Sequence, residues 1–387
     1  MRDDTTGHAS SPFERTAPNL LRRRRSLKWR DVDSDVLSLW VAEMDTPLAP
    51  SILRALQEAA VLGDTGYAAP GGLPEAFAGF ASRRYGWRPE PSDLVLVADI
   101  MAGVDVALKT LTRPGDPVVV STPVYGPFMH HVDYLGRRVV SSPLRHEAGV
   151  YHFDPDRLAA DFAAGAKAYI LCNPHNPTGL VHTREELETI GRLADHYGVT
   201  VIADEVHAPL TMPGVRHVPF ASVDAEAAAR GFSAHSASKA WNLAGLKAAI
   251  LVPGPDADRV EIRQELAVGA SLWGVLASEA AFRDGQDWLD EIRVGISERS
   301  ALLSELLADH LPKIQFQPPS ATYLAWLDMR AYGLGDDPAL FVAERSRVAL
   351  YGGPYFGAEG RGFARLNLAT SRAVLTEAVH RMARTLR

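Results

Sequence analysis

The chain has 387 residues, of which 47% are hydrophobic and 22% are charged, and its formal net charge is −7. The length suits two domains, or a large and a small one, of ordinary globular composition. The acidic balance argues against a general nucleic-acid binder, and the apolar runs are far shorter than the ~20 residues of a membrane span. Because Arg2, Asp3 and Asp4 stand where a signal peptide needs an apolar core, we expect a cytoplasmic protein.

The first half of the chain alternates strands and helices. After about 45 residues of mixed character, Pro50 precedes a helix predicted over residues 51–62. A second amphipathic helix is predicted at Arg184–Tyr197. Short apolar runs bounded by turn residues predict buried strands at Leu94–Val97, Pro117–Ser121, Ala168–Cys172, Val199–Ala203 and Ala248–Val252. This alternation favours a mostly parallel sheet with helices on both faces.

The last hundred residues change pattern. A long helix is predicted over residues 287–310, followed by a strand, a helix and a strand at Tyr323–Asp328, Pro338–Ser346 and Phe363–Leu368. Such an order suits a smaller α+β domain, joined in space by part of the N-terminus. We therefore predict an α/β protein with a large domain over residues 48–286 and a small domain made of residues 1–47 and 287–387.

Three other features point away from specialised sites. The run Arg22 to Arg25 is short and the rest of the chain is acidic, so we interpret it as a solvated arm or one lying on a partner subunit. Cys172 is the only cysteine, which excludes an intrachain disulfide, and its apolar surroundings favour a buried packing role over catalysis. The histidines lack the spacing of metal ligands, and we predict no metal site.

Three short segments are most informative when they are considered together: Asn173–Gly179, the dyad Asp204-Glu205 at the end of an apolar run, and Ser236–Lys239. A pocket for pyridoxal phosphate (PLP) needs a lysine for a Schiff base, a carboxylate that keeps the pyridine nitrogen protonated, a donor near the ring's phenolic oxygen, and small or hydroxyl residues beside the phosphate. Each segment alone is a weak pattern. Together they predict a PLP site.

The residue types in these segments indicate which role each residue would take. Lys239 would form the Schiff base, although an isolated lysine is usually solvated. Asp204 would face the pyridine nitrogen, although an aspartate at a strand end is often a cap. Asn176 would donate to the ring oxygen, with a structural turn as the alternative. Ser236 and Lys247 would contact the phosphate, which favours a hydroxyl and a cation.

A helix start is a further source of phosphate ligands, since its first N–H groups point at an anion. After strand Leu94–Val97 the chain enters a helix near Gly103, which permits close approach. We expect the amides of Val104 and Asp105 to point at the phosphate. The Asp105 carboxylate would be repelled there, so we expect its side chain to turn outward.

The segments, with 28 residues from Asn176 to Asp204 and 35 from Asp204 to Lys239, resemble the fold-type I aminotransferase superfamily of class I/II. The resemblance covers nearly the whole chain and implies a seven-stranded, mostly parallel sheet. It places His207 beside the ring oxygen and Tyr125 on the pyridine face, where a generic reading would make Tyr125 a core aromatic. We count Lys239, Asp204 and Tyr125 as the catalytic residues.

The same resemblance implies roles beyond the cofactor. Relatives lend the residue at Tyr67 across a dimer interface to the neighbour's phosphate, which implies a homodimer with shared sites. In relatives the arginine at Arg365 grips the substrate α-carboxylate, whereas alone it would be a surface strand residue. Ala42 lies in the loop expected to line the substrate side.

The similarity is greatest to the MalY/PatB-type cystathionine β-lyase branch, also called C–S lyases. It is carried by Leu27–Arg30, Leu39–Asp45, Cys172–Gly179, Asp204–Pro209 and Ser236–Lys247. There are three departures: relatives more often have aspartate at Glu43, phenylalanine at Thr46 and arginine at Lys247. The first two concern the substrate side, and the third makes the phosphate contact a point charge rather than a fork.

The resemblance implies β-elimination from L-cystathionine or a related cysteine S-conjugate, giving a thiol, pyruvate and ammonia. An aminotransferase would share the cofactor residues, and the motifs do not separate the two. A tailoring enzyme acting on a cysteine-derived thioether in specialised metabolism is a further alternative. A non-catalytic PLP-binding regulator is disfavoured because no helix-turn-helix region is appended.

Overall fold

A computed structural model describes residues 11–257 and 269–386. The strands are β1 Leu37–Ser38, β2 Val95–Val97, β3 Pro117–Val120, β4 Arg138–Ser141, β5 Arg145–Glu147, β6 Val150–His152, β7 Ala168–Cys172, β8 Thr200–Asp204, β9 Phe232–His235, β10 Ala249–Pro253, β11 Gln315–Phe316, β12 Leu324–Asp328, β13 Val348–Ala349, β14 Tyr351–Gly352 and β15 Phe363–Asn367.

The α-helices are α1 Pro18–Leu21, α2 Leu27–Arg30, α3 Pro50–Leu62, α4 Leu73–Tyr85, α5 Ile100–Leu111, α6 Gly126–Tyr134, α7 Pro155–Ala163, α8 Arg184–Tyr197, α9 Glu226–Arg230, α10 Leu272–Asp284, α11 Gln286–His310, α12 Pro338–Phe341 and α13 Arg372–Thr385. Short 3-10 turns join several of them, and a π-helix, Val342–Ser346, continues α12. No helix in the described ranges is long and apolar enough to cross a membrane.

The main sheet has seven strands in the order β2-β10-β9-β8-β7-β3-β4. Strands β9, β8, β7, β3 and β4 are parallel to one another, and β10 runs antiparallel to both β9 and β2. The central strands are buried along their whole length, as a sheet covered by helices on both faces requires. The predicted α/β class and mostly parallel sheet are confirmed.

Helix α8 shows why the local sequence folds as predicted. The Thr183 hydroxyl accepts from the Glu186 N–H at 3.2 Å, and the Glu186 carboxylate accepts from the Thr183 N–H at 3.0 Å, which is a complete capping box. The apolar side chains Leu187, Ile190 and Ala194 recur at helical spacing and are fully buried. The helix ends where Gly198 adopts φ +68°, a left-handed conformation that glycine adopts without strain.

Several sequence predictions differ from the structure. Six predicted strands differ from the structure by one residue at one or both ends, and two strands of the main sheet, Arg138–Ser141 and Phe232–His235, were not predicted. Arg138–Ser141 is a partly exposed edge strand, and Phe232–His235 contains serine and histidine, so neither has a continuous apolar run. The predicted helix Pro338–Ser346 is a four-residue α-helix followed by the π-helix.

A second, antiparallel sheet has the order β11-β12-β15-β14 and lies in the C-terminal part. Strand β1 from the N-terminal region pairs in parallel with β13, Leu37 opposite Val348. This pairing attaches residues 37–38 to the C-terminal elements. The domain limits at residues 47/48 and 286/287 stay a prediction.

The arginine run is partly engaged with its own chain. The Arg24 guanidinium donates to the backbone carbonyls of Met44 at 3.0 Å and Thr46 at 2.6 Å. Arg23 and Arg25 are exposed, as a solvated arm would be. The prediction of a solvated arm is therefore wrong for Arg24, because that side chain satisfies carbonyls of a loop distant in sequence.

Lys28 is fully buried, which is unusual for a lysine. Its Nζ donates to Asp45 Oδ1 at 2.8 Å and to the Glu43 carbonyl at 3.0 Å. Asp45 is also buried, and its N–H donates to the Ala369 carbonyl at 2.9 Å. The pair fixes residues 43–45 between helix α2 and the C-terminal part.

Removing the charge of Lys28 should therefore destabilise the fold strongly. Lys28→Met leaves the Asp45 carboxylate buried and unpaired, and we expect the free energy of unfolding to fall by about 3–5 kcal/mol. Lys28→Met combined with Asp45→Leu should recover most of this loss. Urea unfolding measures both, with exposed Lys167→Met as the control. If Lys28→Met is as stable as the wild-type protein, the pair of Lys28 and Asp45 does not stabilise the fold as stated.

Candidate active site

The candidate site lies at the carboxyl edge of the main sheet, where open α/β sheets bind ligands. Strands β7 and β8 end there, at Cys172 and Asp204, and β9 leads directly into Ser236–Lys239. The loops enclose a cavity of about 310 Å³. The cavity is lined by most of the predicted site residues, namely Ala42, Tyr125, Asn176, Asp204, His207, Ser236, Lys239, Lys247 and Arg365.

Asp204 is a buried carboxylate with one oxygen still available. Its Oδ1 accepts from the Val206 N–H at 3.0 Å, whereas Oδ2 accepts no hydrogen bond from the residues that the structure describes. Burial raises the pKa of Asp204 to about 7, the charge of Glu205 adds to the rise, and the Val206 N–H and Lys239 oppose it. A cation at the free oxygen would restore the ionised form.

Lys239 faces the same cavity and is only partly exposed. Burial lowers the pKa of its ammonium to about 8, and the neighbouring positive charge of Arg365 lowers it further, against the opposing charge of Asp204. Within the described ranges no side chain or carbonyl accepts a hydrogen bond from Nζ. At neutral pH an appreciable fraction of this amine is therefore uncharged and nucleophilic.

His207 follows Asp204 by three residues and is buried. Burial, reinforced by the charges of Lys239 and Arg365, lowers the pKa of His207 to about 3, so the imidazole is neutral. Its Nδ1 is a buried atom without a hydrogen-bond partner in the part of the chain that is described. Because buried polar atoms are normally paired, this side chain suits contact with a ligand.

Arg365 on β15 reaches across to the main sheet. Its Nη1 donates to Asn176 Oδ1 at 3.0 Å, and its Nη2 donates to the Trp40 carbonyl at 3.1 Å. Its buried Nε finds no acceptor among the described residues. Burial lowers the pKa of Arg365 to about 10, and the guanidinium stays protonated at neutral pH. Because Asn176 Oδ1 accepts the hydrogen bond from Arg365, the side-chain nitrogen of Asn176 remains available to donate a hydrogen bond toward the cavity.

The hydroxyl and cation predicted for the phosphate lie at the other end of the cavity. The Ser236 hydroxyl donates to the Ala248 carbonyl at 2.7 Å, so its hydrogen is already used. The neighbouring Ser238, which the sequence argument did not select, also lines the cavity. Lys247 adopts φ +53°, and its Nζ lies 2.7 Å from Asp99 Oδ2. An anion bound here would meet Lys247 with Asp99 beside it.

The expected start of the phosphate-facing helix requires a correction. Helix α5 begins at Ile100, and the Asp99 carboxylate caps it by accepting from the Ala102 N–H at 2.8 Å. Gly103, Val104 and Asp105 lie in later positions of the helix and do not line the cavity, and the Gly103 N–H donates to the Asp99 carbonyl. The sequence prediction took Gly103 as the position where the helix begins and passed over Asp99, whose carboxylate is the cap.

The end of the helix that lines the cavity is therefore formed by residues 100 and 101. Asp105 turns away from the cavity, as expected, and its Oδ1 pairs with His131 Nδ1 at 2.8 Å. Although burial opposes it, the hydrogen bonds from Lys247 and Ala102 lower the pKa of Asp99, so the cap is ionised.

Tyr125 precedes helix α6, and its ring lines the cavity. Burial raises the pKa of its hydroxyl to about 12, so it stays protonated. Ala42 lines the cavity and accepts from the Tyr323 hydroxyl at 3.1 Å. Tyr67 is fully exposed and lies outside the cavity of its own chain, so its predicted role in a neighbouring site stays a prediction.

Cys172 lies beneath the cavity and is buried, as predicted. Its sulfur accepts from the Asn176 N–H at 3.5 Å and donates to the Pro174 carbonyl at 3.6 Å. Burial, followed by the charge of Asp204, raises the pKa of the thiol well above its usual value. The protonated thiol suits packing rather than nucleophilic attack.

Sequence reasoning missed several cavity residues, and the available signals differ among them. Asp99 precedes a helix and could have been identified as an N-cap. Ser238 is adjacent to Lys239 and could have been included with it. Tyr351 and Tyr355 line the cavity from the C-terminal part, and no local pattern indicates this. No cluster of three or more metal-ligating side chains occurs in residues 11–257 and 269–386.

The arrangement fits PLP on its chemistry. A desolvated carboxylate suits the pyridine nitrogen, a partly neutral lysine suits the aldehyde carbon, and an asparagine amide suits the ring oxygen. A helix N-terminus with a serine and a lysine suits the phosphate. The buried unpaired atoms of His207 and Arg365 belong to side chains that line the cavity, so an acceptor-rich ligand would satisfy them.

The raised pKa of Asp204 predicts how cofactor-free protein responds to pH. The folded value of about 7 exceeds the ordinary 3.8, so between these values the folded state binds more protons than the unfolded state. Asp204 should therefore contribute a decline in stability of about 2–3 kcal/mol from pH 5 to pH 8, against the rise that the lowered pKa of His207 contributes over the same range, and urea unfolding measures the sum. Asp204→Asn should remove this decline, and Asp224→Asn, at an exposed position, should retain it. An identical decline in Asp204→Asn would refute the assignment.

Comparison with known proteins agrees with this geometry. The family pattern of aminotransferase class I and II matches residues 34–382. A Mycobacterium tuberculosis protein provisionally named cystathionine β-lyase is 43% identical over 96% of this chain and 97% of its own length. Cystathionine β-lyase PatB of Bacillus subtilis is 35% identical over 92% of this chain and 96% of its own.

Among solved structures, that of a PLP-bound C–S lyase from Staphylococcus hominis superposes with a TM-score of 0.86 at 29% identity. The match covers 91% of this chain and 92% of that one. The family match spans residues 34–382, and both relatives are more than 30% identical over more than nine-tenths of the chain. The chain belongs to the class I and II aminotransferase family.

Proposed function

We propose that the protein is a PLP-dependent carbon–sulfur β-lyase that cleaves L-cystathionine or a related cysteine S-conjugate to a thiol, pyruvate and ammonia. One observation carries the proposal: Lys239, Asp204 and Arg365, which come from distant segments, line one cavity with the pKa values of the lysine and the carboxylate shifted toward each other. The names of the relatives favour the lyase reaction over transamination.

The residues that would hold the cofactor are those of the cavity. Lys239 would bind its aldehyde carbon, Asp204 its pyridine nitrogen, and Asn176 and His207 the neighbourhood of its ring oxygen. Tyr125 would cover the ring face. The phosphate would meet Ser238 and Lys247 at the start of α5. When bound, PLP supplies an electron sink for the electron pair left at the substrate Cα.

The remaining chemistry is positioning and proton transfer by side chains of the chain itself. Arg365 would bind the substrate α-carboxylate with its unpaired N–H groups and thereby set the orientation of the Cα–H bond. Lys239 Nζ, whose pKa is near 8, would take the Cα proton as a general base. Asp204, ionised by the adjacent cation, would keep the proton on the ring nitrogen.

The elimination balances without an oxidant or a reductant. The Cα–H bond breaks and its proton goes to Lys239, a double bond forms between Cα and Cβ, and the Cβ–S bond breaks with its electron pair on sulfur. A proton then completes the thiol. The released enamine tautomerises and takes up water, giving pyruvate and ammonia.

The second candidate is an aminotransferase, which the family description favours. It would use the same lysine, carboxylate and arginine, and would return a proton to the cofactor instead of expelling a thiolate. It also needs a second keto acid. A tailoring enzyme acting on a cysteine-derived thioether would carry out the same elimination, and cytoplasmic residence stays a prediction.

We further propose that the protein is a homodimer with sites shared between subunits. Tyr67 is fully exposed, and Val61 and Leu62 at the end of α3 are 88% and 80% exposed. The Trp273 Nε1 donates to the Asp64 carbonyl at 2.7 Å, which joins this apolar surface to the start of α10. Two residues before Trp273, the Ser271 N–H donates to the Lys247 carbonyl. The apolar surface is therefore continuous with the phosphate end of the cavity.

The reaction is tested by supplying a thioether and no keto acid. With L-cystathionine or S-methyl-L-cysteine, we expect equal amounts of free thiol and pyruvate over many turnovers. Lys239→Ala should lower the rate by ~10²–10⁴-fold because the general base is lost, and Lys167→Ala, at an exposed position, should not. If the reaction stops after a single turnover and resumes only when a keto acid is added, the protein is an aminotransferase.

Shared sites predict complementation between inactive subunits. In a mixed dimer, Tyr67→Ala and Lys239→Ala fall in the same site, because Tyr67 serves the site of the neighbouring subunit, so the other site of the heterodimer retains both residues. After subunit exchange, the mixture should regain up to about a quarter of the wild-type activity, measured as pyruvate release, because half of the dimers are mixed and each has one intact site. A fully active monomer, or a mixture without recovery, would refute the shared site.

A further inference from the structure

The end of the cavity around Arg365 has an aromatic wall, formed by Trp40, Tyr351 and Tyr355. The ring centres of Trp40 and Tyr351 are 5.8 Å apart, and those of Tyr351 and Tyr355 are 4.7 Å apart. The guanidinium carbon of Arg365 lies 5.0 Å from the centre of the Tyr351 ring. A carboxylate held by Arg365 therefore places the rest of a small amino acid beside these rings.

The wall has no carboxylate of its own. Among the described residues that line the cavity, the carboxylates are Asp99 and Asp204. Asp99 is paired with Lys247 and caps α5 at the phosphate end, and Asp204 lies at the ring end. The Glu43 side chain influences the pKa of Lys239 but does not line the cavity. A second ammonium group on the substrate would thus find no ionic partner at the wall.

Aromatic faces can also bind an ammonium, so this possibility has to be weighed. The Arg365 guanidinium already lies over the Tyr351 ring, and its positive charge would repel another cation there. The distal half of cystathionine carries a carboxylate as well, which aromatic faces do not stabilise. Desolvating such a zwitterion without paired partners is unfavourable, whereas an aryl or alkyl group gains contact with the rings.

We propose that this aromatic wall selects the sulfur substituent, so that cysteine S-conjugates with an uncharged aromatic or alkyl group are preferred to the zwitterionic substituent of cystathionine. The inference rests on the proposed lyase function and names Tyr355 as the specificity-determining residue. Tyr355 is the informative position to substitute because it lines the cavity and contacts Tyr351. The Arg365 guanidinium lies over the ring of Tyr351 and not over that of Tyr355.

The test compares S-benzyl-L-cysteine, S-methyl-L-cysteine and L-cystathionine as substrates of the holoenzyme, measuring kcat/KM from pyruvate release. We expect kcat/KM for the benzyl substrate to exceed that for cystathionine by on the order of tenfold. Tyr355→Ala should lower the benzyl-to-methyl ratio of kcat/KM about tenfold, and Tyr355→Phe should preserve it. Tyr134→Ala removes a tyrosine that is 85% exposed and should leave all ratios unchanged.

A charge introduced at the same position gives an independent result. Tyr355→Glu supplies the missing partner for a distal ammonium and should raise kcat/KM for cystathionine relative to the benzyl substrate. A wild-type preference for cystathionine that is insensitive to Tyr355 substitutions would overturn the proposal, and loss of that preference in Glu43→Gln would identify Glu43 as the partner instead.

Binding separates failure of this inference from failure of the proposed function. Each amino acid should perturb the visible absorbance of the bound cofactor, and titration gives its Kd without turnover. If no substrate yields pyruvate, the lyase function fails, and the order of the Kd values still decides the selectivity. Tighter binding of cystathionine than of the benzyl compound would refute the aromatic selection in either case.

Discussion

The burial of one positive charge, that of Arg365, organises the site. The guanidinium is removed from water and held by Asn176 from the main sheet, the Trp40 carbonyl from the N-terminal region, and the faces of Tyr351 and Phe356. An arginine in such a place is tolerated because each contact replaces part of its lost hydration. Since the partners come from three separate regions, the carboxylate-binding group takes its position only when all of them are packed.

The two central ionisable groups show the same dependence on surroundings. Burial pushes the pKa of Asp204 up to about 7 and that of Lys239 down to about 8, so in the cavity without ligand the charged form of each group is less favoured than in water. The next residue, Glu205, behaves in the opposite way. Burial would raise its pKa, but the imidazoles of His217 and His235, which lie 3.4 Å and 3.1 Å from its carboxylate oxygens, lower it to about 2. Two adjacent buried carboxylates thus differ in pKa because Glu205 contacts two imidazoles, whereas Asp204 accepts a hydrogen bond from the Val206 N–H.

Much of the fold was predictable because its signals are local. Strand Ala168–Cys172 and helix Arg184–Tyr197 were predicted with the bounds that the structure has, since an apolar run or a capping box and a glycine mark their ends. The start of α5 was misplaced because Gly103 was taken as the beginning of the helix, whereas the capping residue is Asp99. The buried pair of Lys28 and Asp45 joins positions 17 residues apart, and charge alone does not distinguish a buried lysine from a solvated one.

The site followed a similar rule. The segments around Asn176, Asp204 and Lys239 could be found because each carries a short pattern and their order is informative. The aromatic residues Tyr351 and Tyr355 could not, because antiparallel pairing of β14 with β15, which contains Arg365, is what brings that stretch to the cavity. The residues whose role depends on their type could be predicted from the sequence. The residues that shape the substrate end of the cavity could be identified only from the tertiary structure.

The state of Cys172 has a consequence for the durability of the enzyme. A lyase of the proposed kind releases thiols beside its own sulfur atom, and an external oxidant such as dioxygen converts such thiols to disulfides. A thiolate at Cys172 would attack such a disulfide, forming a mixed disulfide and expelling the second sulfur as a thiolate. Its raised pKa and its hydrogen bonds to the 174–176 turn keep the sulfur protonated and occupied. The burial that packs the sheet edge thereby also protects the catalyst from its own products.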